Sequence, residues 1–365
     1  MTSHPGAWVE IDLRALAHNV ERIRHLVGPA VRIYAVCKGD GYGCGAGDVA
    51  ETALKAGADA LTVGDLADAA AIRARRINAP ILLYGATDPA SAAAVAELDL
   101  TATLHDVEGL QAFAGLGRPL EAFVKVDCGF GRLGFTPESW PHIFGQIRRA
   151  PALHLRGIYT HIGAVDDAAS VSRQAALFRQ AVREAEAAGF TGLELMASSS
   201  RVLLGYADLH LSAVNPGRML MGMLEGPWAA LAQVLPVVRA IKSRLIQVKT
   251  VRPDMRIGYG GSTPAAETIR AAIIPMGFAA GLPRVLHGHV LVRGARAPMV
   301  GLASMEHLML DVTTIPGAAV GDEAVVLGRQ GDDEITADEL SRTTGLELLE
   351  IVPRLARGLH RVYLR

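Results

Sequence analysis

Apolar and polar positions follow two rhythms along the chain. From residue 31 short apolar runs recur: VRIYAVC at 31, ALTVG at 60, PILLYG at 80, TATLH at 101, AFVKVDC at 122, LRGIYTHI at 155, GLELMAS at 192 and LHLSAVN at 209. Between most of them lie Ala-, Arg- and Glu-rich stretches with helical spacing. DAASVSRQAALFRQAVREAEAAG at 167 is the clearest, apolar on one face, charged on the other and stopped by glycine. Eight strand candidates alternating with helices, at a spacing of about 20 to 35 residues, predict a (β/α)8 barrel of the TIM type. An open doubly wound sheet is the rival arrangement.

After about residue 235 the rhythm changes. VRAIKSRLIQVKTV, AAIIPMGFA, HVLVRG, ARAPMVGLA, HLMLDVT and DEAVVLG are β-like runs separated by Gly, Pro and Asp. Only ADELSRTTG at 337 has helical spacing. The pattern predicts a barrel over 8–233 and a β-rich C-terminal domain over 234–365. The opening AWVEIDL reads as a strand, and an N-terminal strand within residues 1–12 is expected to join that second domain.

Composition narrows the function classes. The 365 residues are 50% hydrophobic and 20% charged, with a formal net charge of −1, so no basic excess attracts nucleic acid or an anionic membrane. Three cysteines, Cys37, Cys44 and Cys128, are too few for a disulfide framework and suit a reducing compartment. The start lacks signal-peptide character, and the longest apolar stretch, AAIIPMGFAAGL, is broken by proline and glycine. A cytoplasmic protein is expected.

In a βα barrel reactive side chains gather at the C-terminal strand ends. Lys38 ends the first run, Arg132 follows the fifth, His161 ends the sixth, Ser198 and Ser199 the seventh, and Asn215 the eighth. Any one alone would be an ordinary rim residue, but so many at one rim point to a site. Burial of Lys38 is unfavourable unless its charge is paired or lost. Desolvation and nearby cations lower a lysine pKa and make the amine a nucleophile for carbonyls. Pyridoxal phosphate needs such a lysine, together with a phosphate cradle. NPGRML, with Gly217 and Arg218, follows the last strand, where barrels of this type often bind phosphate. Two glycine motifs compete weakly. GFGRLG at 129 does not open a helix, and GYGGST at 258 lacks a Walker lysine. Cys37 and Cys44 have no matching His or Cys pair, so no metal is expected.

These motifs, in this order, resemble the alanine racemase family of pyridoxal-phosphate barrels, from AWVEIDLRALAHNV to HRVYLR. AVCKGDGYGCG is similar to the family's AVVKANAYGHG, which implies that Lys38 carries the cofactor as a Schiff base and that Tyr42 binds its phosphate. KVDCGFGRLG is similar to KVDTGMGRLG, which implies Arg132 beside the cofactor phenolate and the substrate carboxylate. Lys125 then matches a lysine that is often carbamylated. THIGAVDD places His161 beside the cofactor ring, and Ser198 and Ser199 match the Asn-Ser that meets the phosphate. GYGGSTPA makes Tyr259 the second catalytic base, and SMEHLMLDVT places the Met305 backbone at the substrate carboxylate. The resemblance implies a head-to-tail homodimer in which Tyr259 and Met305 face the partner's lysine. It also implies racemisation of an amino acid by two bases, Lys38 and Tyr259. The chain departs from the family where R-P-G becomes Asn215-Pro216-Gly217. An arginine can only donate, whereas an asparagine amide can donate to a neutral pyridine or accept from a pyridinium. Aldol-type chemistry at Cα, and cofactor binding without catalysis, are therefore the alternatives to racemisation.

Overall fold

The computed structural model describes residues 6–84, 88–253, 255–259, 267–285 and 287–365. The first strand, β1 (Ala7–Asp12), precedes the barrel but pairs with later strands. Eight parallel strands follow: β2 (Arg32–Val36), β3 (Ala60–Val63), β4 (Ile81–Leu83), β5 (Ala102–Leu104), β6 (Leu120–Lys125), β7 (Leu153–Tyr159), β8 (Glu194–Ser198) and β9 (Ala213–Val214). They run in the order β4-β3-β2-β9-β8-β7-β6-β5. A parallel bridge between Leu82 and Thr101 joins the two ends and closes the barrel. This is the (β/α)8 architecture that the alternating runs predict, and the open sheet is ruled out.

The chain divides into two compact units. The barrel unit comprises Leu16–Gly41 and Ala46–Leu235. One residue from each of seven strands packs in its interior: Tyr34, Ala60, Leu82, Phe123, Tyr159, Met196 and Ala213. Strands alternate faces, so residues two positions further on line the next layer toward the C-terminal rim. The helices outside show the expected amphipathic stripe. In Ala168–Ala187 the buried residues Val171, Ala175, Phe178, Ala181 and Ala185 lie along one face, and Asp167 caps the N-terminus by accepting from Ala169 and Ser170 N–H. At the opposite, N-terminal end of the strands Glu194 ties the barrel together. Its carboxylate meets Arg32 at 2.9 Å, Arg156 at 2.9 Å and the Tyr34 hydroxyl at 2.6 Å.

The β-rich unit comprises the residues up to Ala15, Tyr42–Gly45 and Pro236–Arg365. Its strands are β10 (Val238–Arg244), β11 (Gln247–Val251), β12 (Ile269–Ile274), β13 (His289–Val292), β14 (Ala295–Val300), β15 (Leu308–Asp311), β16 (Glu323–Gln330), β17 (Asp333–Ile335) and β18 (His360–Leu364). They form one sheet in the order β11-β12-β15-β14-β13-β16-β10-β1-β18, with β17 on β16. β1 lies between β10, antiparallel, and β18, parallel. Besides the expected helix, Ala337–Thr344, this unit holds a second one, Leu348–Gly358. Pro353 inside it obscures the helix in the sequence. The buried stripe Leu348, Ile351, Val352, Leu355 and Ala356 supplies the packing that outweighs the lost hydrogen bond. Among the described residues no helix is long and apolar enough to cross a membrane.

Candidate active site

The layer above the interior core holds several of the candidate residues. Tyr84, Lys125, His161 and Asn215 each stand two positions beyond an inward-facing core residue, and Lys38 stands four beyond Tyr34. The strand register thus brings the expected Lys38, Lys125, His161 and Asn215 to one rim. Tyr84 joins them, although in sequence it looks like nothing more than the apolar end of a strand.

Lys38 begins an unusual turn. Gly39, Asp40 and Gly41 have φ of 64°, 57° and 61°, and Tyr42 has φ 57°, so four successive residues are left-handed. Glycine adopts this conformation freely, while Asp40 and Tyr42 adopt it with strain. Three hydrogen bonds hold the turn: Gly41 N–H to Cys37 O at 2.8 Å, Asp40 N–H to Asp68 Oδ1 at 2.9 Å, and Ala46 N–H to Asp40 Oδ1 at 3.0 Å. The Lys38 side chain is open to solvent by area. Protein nevertheless surrounds it on enough sides that desolvation, followed by the Arg132 charge, lowers its pKa.

The charged groups that act on Lys38 and on His161 are cationic. Lys125 is only 6% exposed, and its Nζ sits 4.7 Å from the Tyr159 ring centroid. Burial first, then Arg132, pulls its pKa down to about 7. His161 is pushed down to about 4 by burial and by Lys125, Arg132 and Lys38, so its imidazole is neutral at pH 7. Phe130 contacts both Arg132 and His161, with the Arg132 Cζ 4.7 Å from its ring centroid and the His161 ring in a T-shaped contact with centroids 4.7 Å apart. The loop carrying them is shaped by Asp127, whose carboxylate accepts N–H bonds from Gly129, Phe130 and Gly131 at 2.9 to 3.2 Å. The glycines of GFGRLG therefore serve this loop and do not open a nucleotide-binding helix.

Two residues expected at the phosphate have their polar atoms engaged within the chain. Ser198 is wholly buried and its hydroxyl donates to Leu209 O, so it offers nothing at the rim. The Gly217 N–H already donates to Asn215 O at 3.0 Å. Ser199 remains half-buried at the start of the helix Ser200–Gly205 and makes no capping bond to it. The Arg218 side chain turns to Met223 O at 3.0 Å and to Glu225 at 3.5 Å, which leaves its main chain as what it can offer.

The remaining candidates lie in the β-rich unit. Tyr42 is buried, and its segment is held there by Tyr363, whose hydroxyl donates to Cys44 O at 3.0 Å. Tyr259 and Met305 are 60% and 59% exposed. The Arg284 guanidinium lies 5.8 Å from the Tyr259 ring centroid, and the Arg284 carbonyl accepts from Ala303 N–H at 3.0 Å. Residues 260–263 of GYGGST lie outside the described residues.

Residues 11–225 match the family model for the alanine racemase N-terminal domain, and 238–363 match the C-terminal domain. The chain belongs to the alanine racemase family. An alanine racemase of Syntrophobacter fumaroxidans is 35% identical over 360 residues, covering 96% of each chain. One from Desulfovibrio desulfuricans is 36% identical over 365 residues, covering 98% of this chain and 97% of that one. The crystal structure of alanine racemase from Bacillus anthracis with bound L-Ala-P superposes with a TM-score of 0.91 at 27% identity, covering 100% of this chain and 96% of that one.

Proposed function

We propose that this protein is a pyridoxal-phosphate-dependent racemase that interconverts the L- and D-forms of a small amino acid by proton transfer at Cα. The observation that carries this reading is the crowded Lys38 amine at the open end of the barrel, lowered in pKa beside Arg132, in a chain that matches alanine racemases along its whole length.

The residues fit the cofactor. A lysine of lowered pKa supplies the neutral amine that an aldehyde requires. Arg132 and Lys125 favour the anionic phosphate and phenolate of such a ring, and no carboxylate is among the charges that shift Lys38 or His161. Gly64 leaves room, since a Cβ there would come within 3.3 Å of the Lys38 Cβ. When bound, pyridoxal phosphate supplies a conjugated electron sink that acidifies the Cα hydrogen of an attached amino acid.

This chain's residues do the rest. Lys38 would hold the cofactor and, once displaced by the substrate amine, take or return the Cα proton on one face. Tyr259 would serve the opposite face. Arg132 would pair with the substrate carboxylate, assisted by the Met305 main chain, while neutral His161 stands against the ring. Tyr42, Ser199 and the Arg218 main chain would receive the phosphate. Carbamylation of Lys125 requires a neutral amine, which a pKa of about 7 makes available.

Tyr259 and Met305 are read as acting on the partner chain of a head-to-tail homodimer. Mixing Lys38→Ala with Tyr259→Phe subunits checks this. Both variants alone should be inactive, and random exchange should restore about a quarter of wild-type activity, because one site of each mixed dimer is intact. Absence of complementation would show that both bases come from one chain.

For the reaction itself, the holoprotein is incubated with L-amino acids in D2O, alanine first. The expected result is deuterium at Cα together with the D-enantiomer, and loss of both exchange and the bound-cofactor absorbance in Lys38→Ala. No exchange with any amino acid would overturn the reading.

A further inference from the structure

Asn215 follows β9, two positions beyond the inward-facing Ala213. Its Nδ2 donates to the Tyr84 hydroxyl at 2.5 Å. Tyr84 is itself braced. Its ring packs on Tyr159 with centroids 5.5 Å apart and a 37° tilt. The Tyr159 hydroxyl lies 3.1 Å from Thr103 Oγ1, which donates to Leu83 O at 2.7 Å. The Thr103 proton is thus committed, so Tyr159 donates to Thr103 and its own orientation is set. A row of contacts therefore runs from Leu83 through Thr103, Tyr159 and Tyr84 to Asn215, linking β4, β5, β7 and β9.

A primary amide donates at one end and accepts at the other. The Tyr84 bond uses one of the two Nδ2 hydrogens and holds the Nδ2 end of the amide against Tyr84, so the end of Asn215 turned away from Tyr84 is Oδ1. Asn215 is half-buried, and Oδ1 has no hydrogen-bond partner among the described residues. It can only accept.

We propose that Tyr84 is a positioning residue that fixes the Asn215 amide with its carbonyl oxygen presented to the ligand, so that the ring held here is a pyridinium. This rests on the cofactor reading above. Of the polar groups around pyridoxal phosphate, the phosphate and the phenolate oxygen are acceptors that suit the cations. The ring nitrogen is a donor only when protonated. An acceptor at Asn215 therefore favours the protonated ring, whereas an arginine there would present only donors and hold the nitrogen unprotonated. A protonated ring withdraws electrons more strongly, so the consequence reaches the depth of the electron sink.

The test is the full-length protein reconstituted with pyridoxal phosphate carrying 15N in its ring, read by NMR. In the wild type the ring-nitrogen shift should be that of a pyridinium. Tyr84→Phe frees the amide to turn and should move the signal toward the unprotonated position, and Asn215→Arg should move it fully. Asn215→Asp accepts at both oxygens and needs no orientation. Adding Tyr84→Phe to Asn215→Asp should therefore leave the pyridinium signal unchanged. An unprotonated wild-type ring, or a Tyr84→Phe signal identical to wild type, overturns the proposal. So does loss of the pyridinium signal when Tyr84→Phe is combined with Asn215→Asp, since that would make Tyr84 merely structural. Failure of the cofactor reading looks different: no ring signal survives dialysis, or Lys38→Ala retains the cofactor as the wild type does.

Discussion

At the scale of single residues, burial and the Arg132 charge both disfavour the charged form of Lys125. Its folded pKa, about 7, lies below the unfolded value near 10.5. Below pH 7 both states are charged and the fold bears the whole desolvation penalty. As pH rises from about 7 toward 10.5 the unfolded chain binds the extra proton, and stability rises. His161, lowered to about 4, acts in the same direction between pH 4 and about 6.5. Lys125→Met should therefore stabilise the apoprotein at neutral pH by on the order of a few kcal/mol and flatten its urea stability between pH 7 and 10. If that slope survives the substitution, another group is responsible.

At the scale of elements, the loop after β6 is built on one carboxylate. Asp127→Ala removes the acceptor shared by three N–H groups and should lower stability by about 1–3 kcal/mol. It should also raise the substrate KM by releasing Arg132. Gly134, at φ 121°, closes the same loop, and a Cβ there would lie 2.8 Å from Asp127 N and 2.9 Å from Lys125 O. Gly134→Ala should be destabilising by about 2–4 kcal/mol in thermal unfolding. Much of this was legible in sequence. Lys38, His161 and Asn215 stood out as the ends of apolar runs, and the resemblance to the alanine racemase family added Lys125. What the sequence did not reveal is the direction of the Ser198 hydroxyl, which donates to Leu209 O where the β8–β9 register shifts between Met196 and Ser198. Tyr84 was not legible as a site residue, because its role comes from a contact 131 positions away in sequence.

For the whole molecule, the strands separate stability from chemistry. Glu194 begins β8 at the closed end, 14% exposed and bound to two arginines and a tyrosine. Glu194→Ala leaves the two arginines without this partner and should lower unfolding stability by about 3 kcal/mol. The cofactor absorbance at the opposite rim should be unchanged. A spectrum that moves with Glu194 would show that the two ends are coupled. The fold class was readable from the rhythm of runs alone, whereas the helix Leu348–Gly358 was hidden by Pro353 and emerges only from what its buried face packs against.

The left-handed turn has a bearing on chemical ageing. Asp40-Gly41 is a sequence prone to succinimide formation, in which the glycine nitrogen attacks the aspartate carboxyl carbon and isoaspartate follows. In the folded protein that nitrogen is engaged by Cys37 O and the Asp40 carboxylate by Ala46 N–H, so the two reacting groups are held by other partners. Isoaspartate at this position, measured by peptide mapping after warm storage, should accumulate far more slowly in the native protein than in urea. Where it does form, it would add a backbone atom two residues from Lys38, so loss of cofactor binding should track its appearance.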